Sequence, residues 1–149
     1  MGQSHQIAIG TDHAGFEFKE GLRAFLKEQG YDVLDLGTHD REPCDYPDYA
    51  LRVGQAVVEG QARTGILVCG SGIGMSIAAN KIHGIRAALC HDLYTARMGR
   101  SHNDANVLVL PSRLIALTIA QEMTLLYLNT PFEGGRHAAR VDKIMALEC

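Results

Sequence analysis

A thiol opens the stretch of this sequence best suited to chemistry. Cys69-Gly-Ser-Gly-Ile-Gly74 follows a continuous apolar run and precedes a segment of helical period starting near Ile73 or Met75. Glycines let backbone N–H groups approach an anion closely, and a helix start adds unpaired donors. Such a turn can therefore cradle a phosphate or an enolate oxygen. A cysteine ending a strand and facing those donors can have a lowered pKa, which makes Cys69 a candidate base or nucleophile. The competing reading is that Cys69 is the last buried residue of its strand, like Cys90. The loop is a poor dinucleotide fingerprint. That motif usually follows the first strand, with an acidic residue ending another strand about 20 residues on.

Three further clusters carry polar chemistry. Asp12-His13-Ala-Gly15 ends the first apolar run, where it can face Cys69 across a shared crevice or merely cap the next helix. Ser101-His102-Asn103-Asp104 offers in His102 a side chain that gives and takes protons near neutral pH, or it simply ends a helix. Arg136 and Arg140, four apart after Gly-Gly, project from one helix face and suit a phosphate better than a solvated basic face. Tyr46 lies in the polar stretch Gly37 to Pro47, a surface loop that can reach a ligand, although packing beside Pro47 is the plainer reading.

The elements that position these residues follow from periodicity. Gln6–Thr11, Asp32–Leu36, Thr64–Cys69, Ile85–Cys90 and Asn106–Leu110 read as strands. Phe16–Gln29, Tyr49–Glu59, Ile73–Lys81, Leu93–Arg100, Arg113–Leu128 and Arg136–Leu147 read as helices. Strands that are apolar at nearly every position, such as Ile66-Leu67-Val68, are buried on both faces. With βαβα alternation this predicts an α/β fold, a doubly wound parallel sheet of five strands between helices. No repeat or linker divides the chain, so residues 1–149 are read as one domain.

Composition narrows the function classes. The 149 residues carry 14 Lys and Arg against 17 Asp and Glu, a net charge of -3, with no basic run, which argues against nucleic acid as a partner. Being 46% hydrophobic and 21% charged excludes disorder. No apolar run approaches the roughly 20 residues of a membrane span, and the first residues lack the pattern of a secretory signal, so the cytoplasm is the expected home. Cys44, Cys69, Cys90 and Cys149 are too scattered for a zinc site and are read as free thiols, leaving small ligands as the expected partners.

Taken together, Asp12-His-Ala-Gly15, Asp45-Tyr-Pro47, Cys69-Gly-Ser-Gly-Ile-Gly74 with Ala78-Ala-Asn-Lys81, and His102-Asn-Asp104 with Glu133-Gly-Gly-Arg-His137 carry a resemblance. The sequence resembles the sugar-phosphate isomerase family that holds type B ribose-5-phosphate isomerases with galactose-6-phosphate and allose-6-phosphate isomerases. The likeness runs from Ile7 to about Leu147 and leaves residues 1–5 outside. It implies a Rossmann-like three-layer sandwich that forms a homodimer or tetramer with the active site between subunits. It also implies an isomerisation of ribose 5-phosphate and ribulose 5-phosphate in the pentose phosphate pathway, without metal or cofactor. By the same resemblance Cys69 is the base at C2 and C1, Ser71 helps protonate the enediolate oxygens, and His102 with Asp12 opens the furanose ring. His13, Arg136 and Arg140 hold the phosphate, and the backbone of Gly70, Ser71, Gly72, Ile73 and Gly74 forms the anion hole. Tyr46, Asn103 and Arg113 line the sugar, some of them from the partner chain.

Two positions depart from the family pattern. Ser71 stands where threonine is common, which keeps the hydroxyl and loosens its rotamer. One branch of the family uses a glutamate base within the glycine loop; Met75 stands there in this chain, so the resemblance is to the cysteine branch. Alternatives are a six-carbon sugar phosphate as substrate, a non-catalytic sugar-phosphate-binding module, or a redox thiol protein.

Overall fold

The computed structural model describes residues 5–148, and Cys149 lies outside them. Five strands, β1 (His5–Thr11), β2 (Val33–Asp35), β3 (Ala62–Cys69), β4 (Ala87–Leu89) and β5 (Val107–Pro111), form one parallel sheet in the order β2-β1-β3-β5-β4. Six helices connect and cover it: α1 (Phe16–Glu28), α2 (Tyr46–Val58), α3 (Ile73–Ala79), α4 (Leu93–Ser101), α5 (Leu117–Asn129) and α6 (Arg136–Met145). This is the expected Rossmann-like three-layer sandwich.

Side chains alternate across a strand, so the apolar runs feed two cores. Ile7, Ile9, Ile66, Val68, Leu108 and Leu110 pack with Leu22 and Leu26 of α1, Ala96 of α4 and Met123 and Tyr127 of α5. Ala8, Leu67, Cys69, Val107 and Val109 face the other way, against α2 and α3 through Ala50, Val53, Met75 and Ala79. Cys69 thus points its thiol into the layer on which the glycine loop closes.

Most element ends fall within two residues of the periodicity, and the larger shifts are at the starts of α2 and α5. Helix α2 starts at Tyr46 rather than Tyr49, because Pro47 falls in its first turn, where the missing N–H costs nothing. Helix α5 starts at Leu117 rather than Arg113, because the Ser112 and Arg113 N–H groups donate back to the carbonyls of Cys69 and Gly70. Strand β4 is shorter than the apolar run that suggested it, and its three residues are all half-buried.

Lys19 is a charged group inside this fold. Its buried ammonium meets Asp35 at 2.9 and 3.0 Å and Glu20 at 2.7 Å, tying α1 to the end of β2. The same Asp35 carboxylate accepts the Gly37 N–H at 3.0 Å. Gly37 and Thr38 then bond the backbone of Thr11 at 2.8 and 2.9 Å, bringing the following loop to the end of β1.

The Arg23 guanidinium, hydrogen-bonded at 2.7 Å, and then Lys19 hold the Glu20 carboxyl down at about 2, against burial pushing it up. A depressed carboxylate pKa contributes stability that is complete above the unfolded value of 4.5 and fades as pH falls toward 2. Glu20→Gln is therefore expected to be less stable than wild type in urea unfolding at pH 7. The gap should narrow progressively below pH 4.5; a gap independent of pH would contradict this assignment.

Candidate active site

The strand order sets the ends of β1, β3 and β5 side by side, with Thr11 beside Val68 and Cys69 beside Pro111. Connections leave β1 in opposite directions here, the switch point where open sheets bind ligands. Asp12, next after β1, is buried, and its Oδ1 accepts the Gly15 N–H at 3.3 Å, capping a 3-10 turn at His13–Gly15. Asp12 thus acts as a cap, and its charge also bears on Cys69. His13 is exposed, and its Nδ1 accepts the Cys44 N–H at 3.1 Å, which leaves Nε2 as the protonated nitrogen of the neutral ring, facing outward as a donor. Cys44, given no role by the sequence, orients that ring through its backbone.

The glycine loop is pressed between neighbours that leave no room for Cβ atoms. Gly72 adopts φ +79°, and a Cβ there would lie 2.4 Å from Leu89 Cδ1. A Cβ on Gly70 would lie 3.0 Å from Arg113 Nη1, and one on Gly74 would lie 2.5 Å from the Tyr46 ring. Arg113 and Tyr46 therefore cover the loop from two sides. Ser71 is exposed, with its Oγ accepting the Ile73 N–H at 3.2 Å.

The Cys69 thiol differs from expectation. Burial is the largest influence and pushes it above its usual range. The N–H groups of Met75, Gly72 and Ser71 pull it down only in part, and the Asp12 charge pushes it up again. Donors aimed at sulfur are present as the sequence suggested, but within one chain desolvation outweighs them.

The remaining candidates gather at the other edge of the sheet. Helix α4 starts beyond the carboxyl end of β4 and runs back, so His102 and Asn103 lie where β5 begins. At about 3.3 Å per residue, β5 alone separates that edge from Cys69 by roughly 15 Å. Asp104, at φ +49°, anchors the turn there. Its carboxylate takes Arg100 at 2.9 Å and Arg86 at 3.5 Å, while Tyr127 Oη donates to the Ala105 carbonyl at 2.9 Å. The Glu133 N–H donates to the Ser101 carbonyl at 3.0 Å and delivers α6 beside this turn. His102 and His137 stack with ring centroids 4.1 Å apart, and exposed Arg136 and Arg140 lie in the electrostatic reach of His137.

One chain thus brings together Asp12, His13, Tyr46, Cys69, Gly70–Gly74 and Arg113, and separately His102, Asn103, Arg136 and Arg140. Glu133 and His137 join the second group; the Glu-Gly-Gly-Arg-His run held both, but no role followed from spacing alone. The donor atoms of His102, Glu133 and His137 lie within 4.8 Å of one another and could hold a metal ion. The two rings are within 14° of parallel, so their lone pairs do not converge on one point. No helix among the described residues is long and apolar enough to cross a membrane.

The profile of the Ribose/Galactose Isomerase family matches residues 7–144. Ribose-5-phosphate isomerase B of Escherichia coli is 48% identical over 143 residues, covering 96% of this chain and 96% of that protein. Ribose-5-phosphate isomerase B of Clostridium thermocellum is similar in structure with a TM-score of 0.95 and 50% identity, over 96% of this chain and 97% of that one. Type B ribose 5-phosphate isomerase of Trypanosoma brucei gives 0.92 and 50%, over 98% and 100%.

The loop geometry separates two substitutions. Gly72→Ala must hold a left-handed residue against Leu89 and should cost about 2–4 kcal/mol. Gly74→Ala meets only the mobile end of half-exposed Tyr46 and should cost less than about 1 kcal/mol. Urea unfolding of both variants checks this, and equal costs would refute the strained loop.

Proposed function

The chain belongs to the ribose/galactose isomerase family, and from that membership and the two half-sites we infer that it interconverts D-ribose 5-phosphate and D-ribulose 5-phosphate. The active site is shared by two copies of the chain, each lending its Cys69 edge to the His102 edge of the other. The observation that carries this is the separation itself: base and ring-opening histidine stand at opposite ends of one sheet, so a single chain completes no site. A symmetric dimer would complete two. An apolar surface is available for such pairing, with Ile73 and Ile77 of α3 exposed at 56% and 59% and Leu51 of α2 at 47%. The dimer is the minimal unit of this reading, and a tetramer repeats it.

In the cyclic substrate His102 takes the proton of the C1 hydroxyl as the C1–O4 bond breaks, and the imidazolium so formed gives that proton to O4, with Asp12 facing the same sugar. The Cys69 thiolate then removes the C2 proton, and the electron pair forms the C1–C2 double bond and places charge on O1. The glycine-loop N–H groups and the Ser71 hydroxyl steady that enediolate, as preorganised donors must if a proton next to a carbonyl is to leave. Ser71 relays a proton between the oxygens, and the thiol returns its proton to C1, giving the ketose. His13 and the arginines at 136 and 140 hold the phosphate, while Tyr46, Asn103 and Arg113 line the sugar. No step calls on a metal or cofactor. On this reading the enzyme works in the pentose phosphate pathway and in the cytoplasm.

Two variants and their mixture test this. Cys69→Ala should lose about 10²–10⁴-fold in turnover while still binding phosphate. His102→Asn should lose conversion of ribose 5-phosphate yet keep exchanging C1 protons of ribulose 5-phosphate with heavy water. That ketose needs no ring opening, because its phosphorylated O5 cannot close a ring. Dissociated and reassociated together, the two inactive variants should regain up to roughly a quarter of wild-type activity, since hybrid dimers hold one intact site. A mixture that stays inactive despite hybrid formation would reject the shared site, and faster turnover of allose 6-phosphate would reject the pentose substrate.

A further inference from the structure

We propose that Glu133 is the positioning residue of ring opening: its carboxylate fixes the orientation and tautomer of His102, so that Nδ1 is the nitrogen that takes the sugar proton. The inference rests on the reading of His102 as the ring-opening base. Glu133 Oε2 lies 3.1 Å from His102 Nε2 and 3.5 Å from His137 Nε2. An ionised carboxylate only accepts hydrogen bonds, so the ring of His102, whose Nε2 is the nearer at 3.1 Å, turns Nε2–H rather than a lone pair toward it. A neutral imidazole carries one N–H, which leaves the Nδ1 lone pair of His102 free. As His102 becomes an imidazolium during ring opening, the adjacent carboxylate also stabilises that charge.

The carboxylate is held from both sides. The Glu133 N–H donates to the carbonyl of Ser101, the residue before His102, so carboxylate and imidazole share one backbone anchor. His137, stacked on His102, is mostly buried, and burial followed by the charges of His102 and Arg136 lowers its pKa, against the opposite pull of Glu133. Its ring serves as a wall against which the His102 ring rests. Arg136 and Arg140 form no ion pair with this carboxylate among the described residues, which leaves it to the two histidines.

The test compares Glu133→Ala, Glu133→Gln and Glu133→Asp in the intact oligomer. The first two should convert ribose 5-phosphate about 10–100-fold more slowly, the usual effect of losing a group that orients a histidine. They should exchange C1 protons of ribulose 5-phosphate in heavy water within about two-fold of wild type, and Glu133→Asp should recover part of the ring-opening rate. Nitrogen NMR of the imidazoles should show His102 as the Nε2–H tautomer in wild type and a mixture of tautomers in Glu133→Ala. Equal loss of both reactions would make Glu133 merely structural and overturn the proposal, as would an unchanged tautomer with unchanged rates. His102→Asn separates the two levels. If it loses ring opening while Glu133→Ala keeps it, only the role of Glu133 falls; if His102→Asn itself keeps ring opening, the reading beneath falls with it.

Discussion

The glycines at 70, 72 and 74 bring the loop backbone up against neighbouring side chains, and much of the molecule is arranged around that constraint. Its backbone must run close enough to the Cys69 sulfur for the N–H groups of Ser71, Gly72 and Met75 to act on it. Leu89, Arg113 and Tyr46 close on it from β4, the turn after β5 and the start of α2. The sheet order follows the same need, since only with β1 and β5 on either side of β3 do Asp12 and Arg113 both border the loop. The Lys19–Asp35 contact serves it at a distance by holding the segment that leads from β2 toward Tyr46.

A parallel α/β sheet has two unequal edges, and chemistry ordinarily collects at the carboxyl one. Here the chain also equips the amino edge, with the Asp104–Arg86–Arg100 cluster fixing the turn that carries His102 and Asn103, and α6 adding its arginines. In the proposed reading such a division makes association part of catalysis. An isolated subunit would hold a base without a ring opener and phosphate arginines without a sugar site. Activity would then report assembly.

The fold was legible because the strands are uninterrupted apolar runs and the helices keep their period. The boundaries that shifted did so for local backbone reasons that composition does not display: Pro47 tolerated inside a first turn, and Ser112 and Arg113 drawn back to β3. The Asp12–Cys69 neighbourhood was legible from topology, since both end strands at the switch point. The placing of His102 at the opposite end from Cys69 was equally implicit, because a helix after β4 must return to the amino edge. Glu133 and Cys44 stayed silent since one meets the site through an imidazole and the other through its backbone N–H, neither of which leaves a spacing pattern.

The raised Cys69 thiol is best understood through this same division. Within a chain, desolvation and the Asp12 carboxylate both oppose the thiolate, and the loop N–H groups alone do not overcome them. A base that stayed protonated would be useless at C2. In the proposed shared site the missing influence would come from outside the subunit, because the arginines at 136 and 140 would lie on the facing copy. Opposite charge a few ångströms away favours an anion, and more strongly where water has been excluded. On that reading burial of Cys69 weakens the isolated base and amplifies the effect of the partner's cations. It would couple the chemical competence of the thiol to the same assembly that delivers the sugar's ring opener.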